Sequence, residues 1–526
     1  MLKAVRWLSD LANSGMYVLE GLSRGQPIPV RRSTVVAFIG SAPRGPAGIP
    51  VKINSVEEYE KRFGSANRPS RLHMLLTQFF DNGGMNAIVV RACYSSRRNQ
   101  IVLPGPSGPL LLTATNPGPM EYLRASIDYD GISASDSDHF NLVVHRLASA
   151  GSPLVEEQEI FSGLSVNPES PDYAGHILLG SALFYIDGEL PDERPESTLA
   201  PGIEVGKSYI YANSDWQDSD ALTDYDLIGS DNDSSGLFAL NQIPFVDLVC
   251  LVPDKPDLGP VALFAAERYC RKRHAMLVMD PPSDWKSVGD AVAGSRQDGF
   301  ASANVLTYFP RPSGFEVDIQ EDYARVLGAI VGRLAAGDAE HGVWGSLAAD
   351  SAEGDRIRFR CRACLPVPLD DEDIGVLARS GVNSVREMGA GILELRGMVT
   401  FAQGEDITAA WNDLRKRRIA LYIIENIVRA TRWAAFQDAD EEVGTILDAQ
   451  VREFLRAIFD AGALVGRSAE DAYYMIRDSK DESTRIKFIV GFALDDHGFL
   501  AFRFRHDRVD CEVRQLTWQP GMALAS

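Results

Sequence analysis

Histidine and cysteine are scarce in this chain, with eight and six among 526 residues. The histidines form no HxxxH or HExxH spacing, which removes the commonest helical zinc-hydrolase arrangement. The cysteines (Cys93, Cys250, Cys270, Cys361, Cys364 and Cys511) are scattered, several inside apolar strand-like runs. That pattern argues against a disulfide framework and for reduced, buried thiols in a protein made in the cytosol. Cys361-Arg362-Ala363-Cys364 is a lone CxxC with no second pair or nearby histidine, so two thiols in a strand-like segment are preferred over zinc. Long apolar runs are also missing: none reaches the ~18–20 residues of a membrane span. Met1–Asp10 has cations but no continuous apolar stretch, so no secretory leader is expected there. Val5, Leu8, Leu11 and Ala12 suit a short amphipathic helix instead.

Positive charge is nearly absent from the middle of the chain. Residues 1–100 hold 14 Lys+Arg against 6 Asp+Glu, residues 101–260 hold 5 against 26, and residues 261–526 hold 33 against 41. The middle block thus equals the entire formal charge of −21. A block of this kind is most simply a solvated, outward-facing insertion, and its sign argues against nucleic acid as a partner. The length exceeds one hydrophobic core and calls for two to four domains.

Strand–helix alternation opens at Val35–Ile39, a continuous apolar run ending in Gly40, as buried parallel strands do. Ser55-Val56-Glu57-Glu58 reads as a capping box for a helix to Gly64. A second helix carries Leu72, Leu75, Leu76 and Phe79 and ends at Asn82-Gly83-Gly84, before a strand over 87–90. The same grammar resumes with strands at 246–251 and 275–279, helices at 260–274 and 284–294, and a strand over Asn304–Phe309. This predicts an α/β sheet covered on both faces, split by a mostly β insertion over 96–244. The expected organisation is an arm with a short helix over 1–30, an α/β core over 31–95 plus 245–345, and the insertion. An α+β domain over 346–506 and an arm over 507–526 complete it. The later domain shows helices at 411–433 and around 446–464, with a third beginning at Ser468.

The strongest β signal lies in Arg485–Trp518. Two β-prone runs, 485–494 and 499–504, are joined by Asp495-Asp496-His497-Gly498 and read as a hairpin. A third run alternates Val509, Cys511 and Val513 with Asp510, Glu512 and Arg514, so one face wants burial. Such a strand docks on its own sheet or on another subunit's.

Chemical motifs are weak. Pro201–Ser208 has three residues between its glycines where a phosphate loop needs four. Asp231–Gly236 starts like a calcium loop but places Gln242 where the bidentate glutamate belongs. Asp280 sits at the carboxyl end of a predicted strand without an identifiable partner, and Gly40-Ser41-Ala42-Pro43-Arg44-Gly45 is explained by a tight turn. No catalytic, cofactor-binding or metal-ligating residue is expected.

Several stretches in order resemble the contractile tail sheath family of phages, R-type pyocins and extracellular injection systems. They include Gly15–Glu20, Thr34–Gly40 with Arg44-Gly45-Pro46, and Phe79–Gly84 followed by Ala87–Arg91. Asp280-Pro281-Pro282, Tyr308-Phe309-Pro310, Gly342-Val343-Trp344, Arg432–Phe436, Phe454-Leu455 to Leu464, and Val490–Ala493 follow. The match covers about 30–95 and 245–505 and leaves unmatched both the insertion and the stretch Leu2–Ala12.

The resemblance implies a non-enzymatic homo-oligomer, hexameric rings stacked helically around an inner tube, that contracts to drive the tube through an envelope. It implies baseplate and terminator partners, no cofactor, no nucleic acid and no membrane insertion. The subunit would be made in the bacterial cytoplasm and end in a virion tail or extracellular particle. Tyr17, Val18 and Leu19 would be one donated strand, and Val509, Cys511 and Val513 the other, with the boundary at His506-Asp507. Phe488, Val490, Phe492, Phe502 and Phe504 would form the receiving sheet. Arg415, Lys416, Arg417 and Arg418 would face the tube, or else form a solvated turn followed by buried arginines. A type VI secretion-like sheath and an α/β enzyme with an inserted β domain are the alternatives.

Overall fold

The computed structural model describes residues 25–64, 70–93, 97–198, 208–213, 222–297, 301–312, 326–345, 356–361, 365–402, 409–437, 441–477, 486–496, 498–506 and 511–516. The chain forms two compact units, Arg32–Tyr422 and Ile423–Ser526 together with the residues before Arg32.

The larger unit is built on a six-stranded sheet in the order Val305–Leu306, Met276–Val278, Leu248–Val252, Val36–Gly40, Ala87–Arg91, Val51–Ile53. All neighbours are parallel except the last pair. Val36 and Phe38 point into one apolar cluster and Ala37 and Ile39 into another, all without exposure. Because side chains alternate across a strand, a run with no polar residue needs cover on both faces. Gly40 is needed where this strand ends, since a Cβ would lie 2.9 Å from the Val252 Cβ of the neighbouring strand.

Helices Val56–Phe63, Arg71–Asp81, Pro260–Lys272 and Val288–Gln297 match the predicted pattern within a few residues. A further helix, Leu327–His341, was not expected. Its packing explains why. Gly328 and Gly332 lie four residues apart, and a Cβ on either would come within 2.1 and 2.4 Å of the Leu75 and Phe79 carbonyl oxygens. The glycines that weaken the helical pattern are what let this helix approach Arg71–Asp81.

The predicted strand Asn304–Phe309 divides at Thr307. Val305–Leu306 stays in the six-stranded sheet, while Tyr308–Phe309 pairs in parallel with Asn383–Gly389 in a second sheet completed by Ile392–Arg396 and Arg356–Arg360. The expected boundary at 345/346 therefore falls between parts of one sheet. Phe359, Leu393 and Leu395 join the same apolar cluster as Phe38.

The insertion is mostly β, as composition indicates. It has a three-stranded sheet (Gln100–Leu103, Leu110–Ala114, Phe184–Ile186) and a four-stranded one (Ile210–Tyr211, Leu123–Asp128, His139–Leu147, Val155–Ser165). Leu112, Phe140, Leu142 and Phe184 form its own core. Its expected end at 244 is too late, because Leu227, Leu237 and Leu240 pack with Val249 and Tyr269 of the α/β core. Two buried arginines tie the insertion down. Arg91 donates to the Gly45 and Pro117 carbonyls at 2.7 and 2.6 Å. Arg44 pairs with Glu156 and donates to the Leu147 carbonyl at 3.5 Å. The Gly40–Gly45 loop is thus a turn that also delivers an anchor.

The smaller unit rests on helix Glu441–Asp460, whose buried Val443, Leu447, Val451, Phe454, Leu455 and Ile458 recur every three or four residues. The helix expected from Ser468 lasts one turn, Ala469–Ala472, and becomes strand Tyr473–Arg477. Tyr473, Tyr474 and Ile476 favour the pleated conformation.

Candidate assembly sheet

The five residues expected to receive a strand, with Cys511 and Val513 of the expected donated strand, lie on the smaller unit's antiparallel sheet, ordered Tyr473–Arg477, Lys487–Ala493, Phe499–His506, Cys511–Leu516. Register places Phe488 opposite Phe504 and Val490 opposite Phe502. The Phe488 and Phe504 rings stack at 4.9 Å, and Phe492 and Phe502, diagonal neighbours, at 5.4 Å. Phe488, Val490, Phe492, Phe502 and Phe504 are all buried. The structure brings the five expected receiving residues together on one inward face, where they hold the sheet to its own core.

The last strand differs from expectation. Cys511–Leu516 lies antiparallel on Phe499–His506 of the same chain, with Val513 opposite Phe504 and Cys511 opposite His506. The physical reason is direct: a free edge leaves backbone N–H and C=O groups unpaired, and the nearest segment able to pair them is this one. Its attachment is shallow. None of its side chains is buried; Cys511, Val513 and Leu516 are partly covered, and Glu512, Arg514 and Gln515 are exposed. Glu512 pairs with Arg514 at 2.5 Å and with Arg505 at 3.8 Å, contacts worth about 0–1 kcal/mol at a surface. Val509, Tyr17, Val18 and Leu19 lie outside the described residues.

His506, by contrast, is fixed. It is 2% exposed, its backbone N–H donates to the Ile486 carbonyl at 3.1 Å, and its Nε2 lies 2.8 Å from Thr431 Oγ1. The Thr431 hydroxyl donates its one proton to the Ile427 carbonyl at 2.6 Å, so toward His506 it accepts and Nε2 carries the proton. The thiol of Cys511 sits 3.8 Å from that nitrogen. Firm anchorage thus reaches His506, the last residue before the expected arm over 507–526.

On the amino-terminal side, the Gln450 amide donates to the Gln26 carbonyl at 2.6 Å and accepts from the Trp433 indole at 3.0 Å. Ile28 is buried, and Gly25 has φ +72° with space for no Cβ beside Ile446. The chain is therefore strapped to helix Glu441–Asp460 from Gly25 onward.

The basic run does not form a cationic face. Arg418 is 7% exposed and pairs with Asp338, which also accepts from Thr34. Arg417 lies over Trp411 at 4.7 Å and donates to Asn304 at 2.6 Å, and burial lowers its pKa to about 10. Arg415 pairs with Asp413 at 2.9 Å. The tube-facing reading of Arg417 and Arg418 is corrected accordingly, because both guanidiniums are spent on internal partners. Of the alternative, a solvated turn followed by buried arginines, the structure shows Arg418 buried, while Arg415, Lys416 and Arg417 are partly covered.

Asp280 accepts from the Tyr308 hydroxyl, a partner that sequence proximity could not show. Cys361 is buried with its thiol pushed up to about 11, which makes it inert rather than reactive. Among the described residues, no group of histidine, cysteine and carboxylate side chains could hold a metal ion, and no helix is long and apolar enough to cross a membrane.

No protein-family model matches the sequence, and no curated protein matches it. The structure does have close counterparts in architecture. The sheath tail protein of Listeria innocua superposes over 92% of this chain and 97% of its own, with a TM-score of 0.61 at 12% identity. This is a tail sheath fold. The sheath tail protein of Desulfitobacterium hafniense shares it over 94% of this chain and 100% of its own (TM-score 0.51, 11% identity). So does the helical sheath of the anti-feeding prophage in its contracted state, over 92% and 95% (TM-score 0.51, 14% identity). At 11–14% identity the likeness to these proteins is one of fold.

Proposed function

We propose that this chain is the structural subunit of a contractile tail sheath. It polymerises as stacked hexameric rings around an inner tube, and contraction drives that tube through a target envelope. The observation that carries the reading is the sheath fold over 92% of the chain, supported by a peripheral strand with no buried side chain at the edge of the smaller unit's sheet. In the assembly, the segment after His506 leaves its own sheet and pairs with a neighbour's edge, and Tyr17–Leu19 supply a second donated strand. Each subunit both gives and receives, so the contacts are heterologous and propagate a helix instead of closing a dimer. Baseplate and terminator proteins cap such a polymer, and the acidic insertion faces outward, where its charge keeps particles apart. The subunit works by assembly and stored lattice energy, not by catalysis, in a virion tail or extracellular particle.

Negative-stain microscopy of the purified chain tests this: rings or helical tubes are expected, and a discrete small oligomer under all conditions refutes it. Removal of Asp507–Ser526 is expected to leave circular dichroism and cooperative unfolding near those of the full chain while abolishing tubes. Cooperative loss of the fold in that truncation would instead make the last strand part of its own core.

A further inference from the structure

Strand Phe499–His506 pairs along one side with Lys487–Ala493 and along the other with Cys511–Leu516. Without the last strand, that second side would be a row of open backbone N–H and C=O groups, ready to pair with another chain. All six residues of the last strand are engaged, from Cys511 opposite His506 to Leu516 opposite Ala501. What it offers outward in turn is a poor template. It is six residues long against eight for its neighbour, and Glu512, Arg514 and Gln515 are exposed along it. Short, charged edge strands discourage further pairing. The strand thus replaces an adhesive edge with a guarded one, while none of its own side chains is buried.

Its tether is short. Four residues, 507–510, separate it from His506, whose ring is fixed against Thr431 at 2.8 Å. A tether of that length holds the strand beside its edge at an effective concentration of about 1 mM. A second copy at about 1 μM offers the same strand to the same edge through the same pairs, so the tethered strand wins by about a thousandfold. We infer that Cys511–Leu516 is an autoinhibitory plug, which in the free subunit shuts the Phe499–His506 edge against a second copy until it detaches. That the rival is a second copy's strand rests on the assembly reading above; closure of the edge by the chain's own strand does not. Shallow attachment suits the role, since local opening of a peripheral strand costs only part of the global stability. Where neighbours are held side by side, the tether's advantage in concentration disappears and exchange proceeds.

A fluorescently labelled peptide of residues 507–518 reports access to the edge by anisotropy, with the full chain in three forms. The first is unchanged. The second carries Val513→Pro and Arg514→Pro. Adjacent N–H groups of a strand point to opposite sides, so one of the two prolines removes a donor from the plug's pairing and leaves Phe499–His506 unaltered. The third has twelve Gly/Ser residues inserted after Asp507, a fourfold longer tether that weakens closure by about eightfold. The peptide is expected to bind the proline variant at least about tenfold more tightly than the unchanged chain, and the long-tether chain about eightfold more tightly. Circular dichroism checks the fold. Should the prolines disturb it, the long-tether chain decides alone, because its insertion lies outside both strands. Equal affinity for all three chains overturns the plug, and so does the absence of saturable binding to the opened ones. Tubes are not the readout. A chain that never forms tubes yet binds the peptide in this order refutes the sheath reading and keeps the plug, and tubes with equal affinities do the reverse.

Discussion

At the scale of single residues, the larger unit stakes most on charges it has buried. Arg418, Asp338 and Thr34 are separated by 80 and 304 positions yet form one closed cluster. Replacing one member of a buried pair strands the other, at about 3–5 kcal/mol, whereas replacing both with apolar groups of similar size is close to neutral. Arg418→Met and Asp338→Leu should thus each lower the urea midpoint strongly, and the double variant should recover most of the loss; equal, additive losses would contradict the pair. His145, 6% exposed on the insertion, shows the opposite sensitivity. Its ring nitrogen Nδ1 accepts from Arg124 at 3.2 Å, and burial, then the nearby arginine charge, pull its pKa below 6.5. Since the folded state disfavours its protonation, the stabilisation is complete above the unfolded pKa of 6.5 and is lost as pH falls through the folded value. Thermal midpoints should drop between pH 7.5 and 5, and His145→Gln should flatten that part of the profile. None of these pairings could be read from sequence, because each partner lies on a different element.

At the scale of elements, legibility followed apolar continuity. Val35–Ile39, Ala87–Val90 and 246–251 declared themselves as buried strands because nothing polar interrupts them. Leu327–His341 did not, since Gly328, Gly332 and Gly337 look like breakers until the facing backbone is in view. Tyr473–Arg477 was hidden behind the capping signal at Ser468, which the chain honours for a single turn. The terminal strand was legible as a strand, but its resting partner was not, because an alternating pattern specifies a buried face and not whose sheet supplies it. The two classes of strand should separate in hydrogen exchange. Amides of Cys511–Leu516 should exchange far faster than those of Lys487–Ala493. Phe504→Ala should cost about 3–5 kcal/mol by urea unfolding, and Val513→Ala under about 1 kcal/mol, as it removes little buried area. Comparable protection and cost would show the last strand to be integral.

At the scale of the whole molecule, the sheath fold is spread over a chain whose two compact units each gather segments remote in sequence. The sheets in the larger unit draw on residues from 36 to 396, and the smaller unit is completed by the strap from Gly25. The insertion stands apart from this interleaving. It has its own apolar core and is moored by Arg44 and Arg91 from the loop and strand beside its entry. A module that brings its own stability can be exchanged without rewriting the frame that carries it. The insertion would then be a replaceable module, open to change in charge or grafted sequence while the frame that carries it stays the same.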